Sequence, residues 1–177
     1  LSKFSNIPKS LVRFTFGRGD LILTNAAIEY LNFSSYRLLA YADQRLDEIS
    51  QIYLNRVIEE EIQKFNPSIV ITMSDKDLNK DHICVSNSVK VATRSIYGTN
   101  IKFVLFGETP SSLWNYNELF TPNLFFSLEE KDMEFKVNTF QKYYTNEIKT
   151  SPDLRSIEAI WNLAKLRGNT IGSKFAE

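Results

Sequence analysis

The chain has 177 residues, 43% hydrophobic and 24% charged, which suits one domain with a real core and excludes a disordered chain. Its 21 Lys and Arg balance 21 Asp and Glu, so no net field recruits nucleic acid or an anionic membrane. A single cysteine, Cys84, excludes an internal disulfide. With no signal-peptide pattern and no apolar run of membrane-spanning length, a cytoplasmic location is expected.

Leu11 to Phe16 alternates like a strand and breaks at Gly17-Arg18-Gly19. Asp20 to Leu31 is predicted helical, with Asp20 as its cap, Leu23, Ala26, Ala27, Tyr30 and Leu31 near one face, and Asn32 as a left-handed stop. Tyr36 to Tyr41 is a short predicted strand, followed by the polar turn Ala42 to Asp47. From Glu48 to Phe65 the helical period is strong, carried by Ile49, Ile52, Tyr53, Val57, Ile58 and Ile62. The run Glu59-Glu60-Glu61 within it reads as a solvated edge. Pro67 ends the helix, and Ser68 to Thr72 reads as a buried strand.

The polar loop Asp75 to His82 comes next and ends in the only histidine of the sequence. A helix is predicted from Ile83 to Arg94, then a second β-rich run from Ile101 to Phe106 with Glu108 close behind it. Asn123 to Leu128 is a further strand candidate. Two helices, Glu129 to Glu147 and Leu154 to Arg167, close the chain, with Pro152 opening the last and Gly168 ending it. Strands separated by helices of this length predict an α/β fold with a mostly parallel sheet and helical crossovers.

The polar loop admits three readings. Asp75, Asp77, Asn79 and Asp81 alternate like the early ligands of a calcium loop, but that motif needs glycine sixth and glutamate twelfth, where Lys80 and Ser86 stand. A zinc site could use His82 together with carboxylates, since catalytic zinc usually takes three protein ligands. The third reading is structural: Asp81 caps the following helix, and His82 merely begins it. The residues alone leave the last two open. Glu108 either faces a cleft or holds a loop. Trp114, Tyr116 and Phe120 either stack on a sugar or pack a loop or subunit interface. Nucleotide binding is disfavoured because no Gly-x-Gly-x-x-Gly follows a strand, and Phe16-Gly17-Arg18-Gly19 is too short to supply one.

Several pieces then stand in a telling order. They are Asp43-Gln44-Arg45-Leu46-Asp47, Asn66-Pro67-Ser68-Ile69-Val70-Ile71-Thr72, Asp77-Leu78-Asn79-Lys80-Asp81-His82, Ala92-Thr93-Arg94, Glu108-Thr109-Pro110-Ser111-Ser112, Pro122-Asn123 and the stretch from Arg167-Gly168 to Ala176-Glu177. From about Ala26 onward the chain resembles the PIG-L/LmbE-like zinc-dependent N-acetylglucosaminyl deacetylases. The resemblance implies a Rossmann-like α/β sheet with helices on both faces. It also implies a metal-dependent hydrolase that removes an N-acetyl group from an amino sugar or its conjugate.

By this resemblance His82 is a zinc ligand. Asn79 stands where the family often has a histidine that steadies the oxyanion, and its amide can still donate a hydrogen bond. Asp81 would orient Asn79 or help fix the ligand geometry, Asp77 would organise the loop or contact sugar hydroxyls, and Asp77, Arg45 and Glu108 are the expected substrate-side residues. The departures are concrete. The family's N-terminal His-Pro-Asp-Asp motif, which brings two more zinc ligands and the general base, is absent, and Met73 stands where many relatives have histidine.

Residues 1–25 resemble nothing in the family, and the chain starts at Leu1 rather than methionine. The expectation is a single deacetylase domain over 1–177 that lacks the first strand–helix unit of a longer enzyme, or has had it replaced. The partners expected are an amino-sugar substrate and no nucleic acid, with a homo-oligomer left open. The alternative is a non-catalytic sugar-binding domain on the same fold.

Overall fold

The protein is described here by a computed structural model covering residues 8–16, 20–94, 98–112 and 120–177. Its elements in order are β1 (Ser10–Phe16), α1 (Asp20–Tyr30), β2 (Ser35–Ala42), α2 (Gln51–Phe65), β3 (Ile69–Met73), α3 (Lys80–Ala92) and β4 (Phe103–Gly107), then β5 (Ser127–Leu128), α4 (Glu130–Tyr143), α5 (Ile157–Thr170) and β6 (Phe175–Ala176). The architecture is mixed α/β with short parallel strands. β1 pairs with β2 and β3 with β4 in parallel, while β5 and β6 are antiparallel.

The described residues form two compact units. The first joins β1 and β2 with α2, β3, α3 and β4. Its core gathers Phe14 from β1, Leu54, Val57, Ile58 and Ile62 from α2, and Val85, Val89 and Ala92 from α3. The α2 residues recur at three- and four-residue spacing and so share one helix face. The face is rotated from the expected one. Leu54 is fully buried with Val57, Ile58 and Ile62, whereas Ile52 and Tyr53 are exposed, because the face of α2 that packs against Phe14 and α3 runs through Leu54.

Asn66 ends α2 in the left-handed conformation at φ 50°, its N–H donating to the Ile62 carbonyl at 2.8 Å. The chain then turns into β3, whose register with β4 is unbroken from Ile69↔Phe103 to Met73↔Gly107. The expectation that this strand is buried is only half met. Thr72 is buried, but Ile71 is 66% exposed, and Ile69 and Phe103 are exposed beside it. Alternation puts Ile69 and Ile71 on one face and Val70 and Thr72 on the other, and Val70 packs against the helical core while Ile69 and Ile71 stay exposed.

The second unit contains α1 and the closing elements. α1 begins at Asp20, and its buried positions are Thr24, Ala27 and Ile28. Asn32 takes the expected left-handed conformation, at φ 54°. Tyr30 stacks on Phe135 of α4 with ring centroids 5.5 Å apart. The strand expected over Asn123 to Leu128 contracts to the two residues of β5. Ser156, not Pro152, caps α5, its Oγ accepting the Ala159 N–H at 3.1 Å.

Gly168 does not end α5 but lies inside it, where the returning chain crosses. A Cβ there would sit 2.6 Å from the Ser173 carbonyl oxygen and 2.8 Å from the Phe175 backbone. Its role is close approach. That approach seats Phe175 against Met133 and Ala164, with Trp161 edge-on to its ring at 5.2 Å.

Candidate active site

β3 and β4 run parallel, so both deliver their following loops to the same end of the pair, where open α/β sheets bind ligands. The Ser74 N–H carries the ladder one step further, donating to the Gly107 carbonyl at 3.1 Å. Glu108 leaves β4 from this end and is half-buried. A shallow recess lined by Thr93, Gly98, Thr99, Ile101, Lys102 and Val104 lies toward the opposite end of β4 and touches none of the candidate residues.

Asp77 is the hub of the loop, 1% exposed. Its Oδ1 accepts the Asn79 N–H at 2.8 Å, and its Oδ2 lies 2.7 Å from His82 Nδ1. Asn79 caps α3, its Oδ1 accepting the Asp81 N–H at 2.9 Å. The helix therefore starts at Lys80, ahead of the predicted Ile83, and its cap is Asn79 rather than Asp81. His82 consequently lies in the first helical turn, and its side chain is 23% exposed.

Asp81 faces elsewhere. Buried to 4% exposure, it accepts the Gln44 N–H at 2.8 Å on one oxygen and the Leu46 N–H at 2.9 Å on the other. Gln44 has a positive φ of 60°, so the turn after β2 aims these two N–H groups at one carboxylate. The expected orienting of Asn79 by Asp81 runs through the Asp81 backbone N–H, and the side chain anchors the turn. Backbone N–H partners of this kind leave no trace in side-chain patterns, which is why the sequence reading missed them.

Arg45 sits between the two anchored residues and is exposed, with Nη2 2.8 Å from Glu48 Oε2. The hydrogen bond it donates to Glu48 raises its pKa above the ordinary arginine value. Four of the six expected residues thus come together around α3: Asp77, Asn79, Asp81 and His82. Arg45 borders them through the anchored turn, and Glu108 leaves from the shared strand end. Phe120 is half-buried, while Trp114, Tyr116 and Gly17-Arg18-Gly19 lie outside the described residues.

The calcium arrangement is not formed. Asp77, Asn79 and Asp81 direct oxygens to separate N–H groups, and Asp75 pairs with Lys90. The hydrogen bond from Lys90 holds the Asp75 carboxyl below the ordinary aspartate range.

A catalytic zinc needs about three protein ligands. His82 can give one, because Asp77 engages Nδ1 and leaves Nε2 as the ligating nitrogen. Among the described residues, no cluster of three or more His, Cys, Asp and Glu side chains could hold a metal ion. Burial, and then the charges of Asp47 and Asp81, raise the Cys84 thiol pKa. The donors among the described residues do not make a complete zinc site.

Residues 23–93 match the family profile described as PIG-L: GlcNAc-PI de-N-acetylase. This stretch contains the Arg45 turn, the polar loop and α3, so the resemblance read from those residues holds over that span. Among solved structures, the conserved protein TT1542 from Thermus thermophilus superposes with a TM-score of 0.75 at 16% identity, covering 99% of this chain and 82% of its own. The N,N'-diacetylchitobiose deacetylase from Pyrococcus horikoshii, in complex with an inhibitor, gives 0.70 at 15% identity, covering 99% and 73%. At these identities the likeness shows the fold. No curated protein matches the chain in sequence. Among the described residues no helix is long and apolar enough to cross a membrane.

Proposed function

We propose that this chain serves a metal-dependent hydrolase that removes an N-acetyl group from an amino sugar or its conjugate, releasing acetate. The observation that carries this reading is the Asp77–His82 pair, 2.7 Å apart at the carboxyl end of a parallel strand pair and inside the family-matched span. A deacetylase is the family-level description, and the N,N'-diacetylchitobiose deacetylase shares the fold.

Within this reading, His82 offers Nε2 to the metal. Asn79, with Oδ1 committed to its cap, keeps Nδ2 as the amide end able to donate to a developing oxyanion. Arg45 and Glu108 border the substrate side. The described residues supply no cluster of three or more His, Cys, Asp and Glu that could hold a metal ion. The 177-residue chain by itself is therefore expected to turn over little or no substrate.

Acetate release from N-acetyl amino sugars, measured with and without added zinc, tests this. Robust turnover by the chain alone overturns the expected inactivity. The incomplete ligand set favours a second reading, a sugar-binding domain that works without metal. Zinc binding that His82→Ala abolishes carries the hydrolase reading. Sugar binding indifferent both to zinc and to His82→Ala carries the other.

A further inference from the structure

We infer that Asp77 is a positioning residue that fixes His82 in the Nδ1–H tautomer and keeps the Nε2 lone pair available, and that it makes no contact with substrate. The consequence for hydrolysis rests on the reading just given; the tautomer itself does not.

The first ground is saturation of the carboxylate. Asp77 is 1% exposed, so no sugar hydroxyl reaches it without displacing protein. Both oxygens are also engaged, Oδ1 by the Asn79 N–H at 2.8 Å and Oδ2 by His82 Nδ1 at 2.7 Å. Of the two roles expected for Asp77, organising the loop and contacting sugar hydroxyls, these contacts support the first.

The second ground is donor–acceptor logic. An ionised carboxylate only accepts, so the ring nitrogen facing it must carry the proton. The hydrogen bond made by one imidazole nitrogen sets what the other can do, and here Nε2 keeps its lone pair. A short, charge-assisted contact to a buried partner also restricts rotation of the ring. The same carboxylate fixes the backbone of Asn79 and so couples the helix cap to the imidazole. One side chain sets the geometry of both candidate reacting groups.

Asp77→Asn sharpens the inference because it is nearly isosteric and reverses one hydrogen bond. The asparagine Oδ1 can still accept the Asn79 N–H, while its Nδ2 presents a donor to His82 Nδ1. That arrangement forces the proton onto Nε2, where it blocks the lone pair.

His82 is the sole histidine, so its ring nitrogens can be read without assignment ambiguity in a ¹⁵N-labelled chain. The measurement is made without metal, at a pH well above the usual imidazole range. In the unmodified chain we expect the protonated-type resonance at Nδ1 and the unprotonated-type resonance at Nε2. In Asp77→Asn the two should exchange, while Asp75→Asn should leave the pattern unchanged. A neutral ring found mainly as Nε2–H in the unmodified chain overturns the inference, and this result needs no variant to fold. An Asp77→Asn spectrum identical to that of the unmodified chain overturns it as well. Failure to bind zinc or release acetate counts against the hydrolase reading and leaves the tautomer result standing.

Discussion

The chain carries two acidic clusters that look alike in sequence and behave differently in the fold. Glu59-Glu60-Glu61 lies mid-helix on α2, where Glu60 is exposed and pairs with Arg37 at 2.7 Å. The acidic loop beyond β3 instead turns Asp77 and Asp81 inward to 1% and 4% exposure. The difference comes from backbone supply. Mid-helix N–H groups are already used, so the glutamates can find only solvent and an arginine. A strand end, a tight turn and a helix N-terminus all leave N–H groups unused, and aspartates placed there become their acceptors.

The sharpest way to break this comparison is Asp81→Ala. It strands the Gln44 and Leu46 N–H groups, and bonds to a charged acceptor contribute about 1.5–3 kcal/mol each. The expected loss is about 3 kcal/mol, read as a lower urea midpoint with little change in slope. A loss under about 1 kcal/mol would show that Asp81 contributes no more than an exposed ion pair.

Asn79→Ala should cost less, about 1 kcal/mol, the usual penalty for losing an N-cap. Asn79→Asp restores the cap acceptor and should recover most of that stability, measured by the same unfolding series.

The smallest effect belongs to Asp75, which sits in the loop by sequence but resembles Glu60 in its surroundings. It pairs with Lys90 near the surface, so Lys90→Met should cost less than about 1 kcal/mol. Its folded pKa is lowered, chiefly by the Lys90 hydrogen bond. The contribution is therefore present above the ordinary aspartate pKa and lost as pH falls through the folded value. Stability curves of the unmodified and Lys90→Met chains should converge in that acid window, and a gap that persists below it would contradict the assignment.

Part of this loop was legible in the sequence. The order of Asp77, Asn79, Asp81 and His82 marked a candidate site around the lone histidine. The division of labour among them was not legible. Asp77 reaches His82 over five positions, from loop to first helical turn, a spacing that matches neither helix nor strand periodicity. Asp81 finds its partners 35 and 37 residues away, on backbone atoms that every sequence possesses.

The same boundary runs through the fold. By itself, the sequence determined the α/β class, the left-handed stop at Asn32, the end of α2 before Pro67 and the place of the polar loop, because periodicity, turn residues and chain breakers act locally. Tertiary structure alone decided that Leu54 rather than Ile52 is buried, that Ile71 is exposed, and that Gly168 lies inside a helix crossed by Phe175. It also decided that one buried carboxylate aims the histidine while another anchors a distant turn. Those outcomes depend on which backbone groups remain unpaired once the elements have packed, and that is settled by how the chain meets itself.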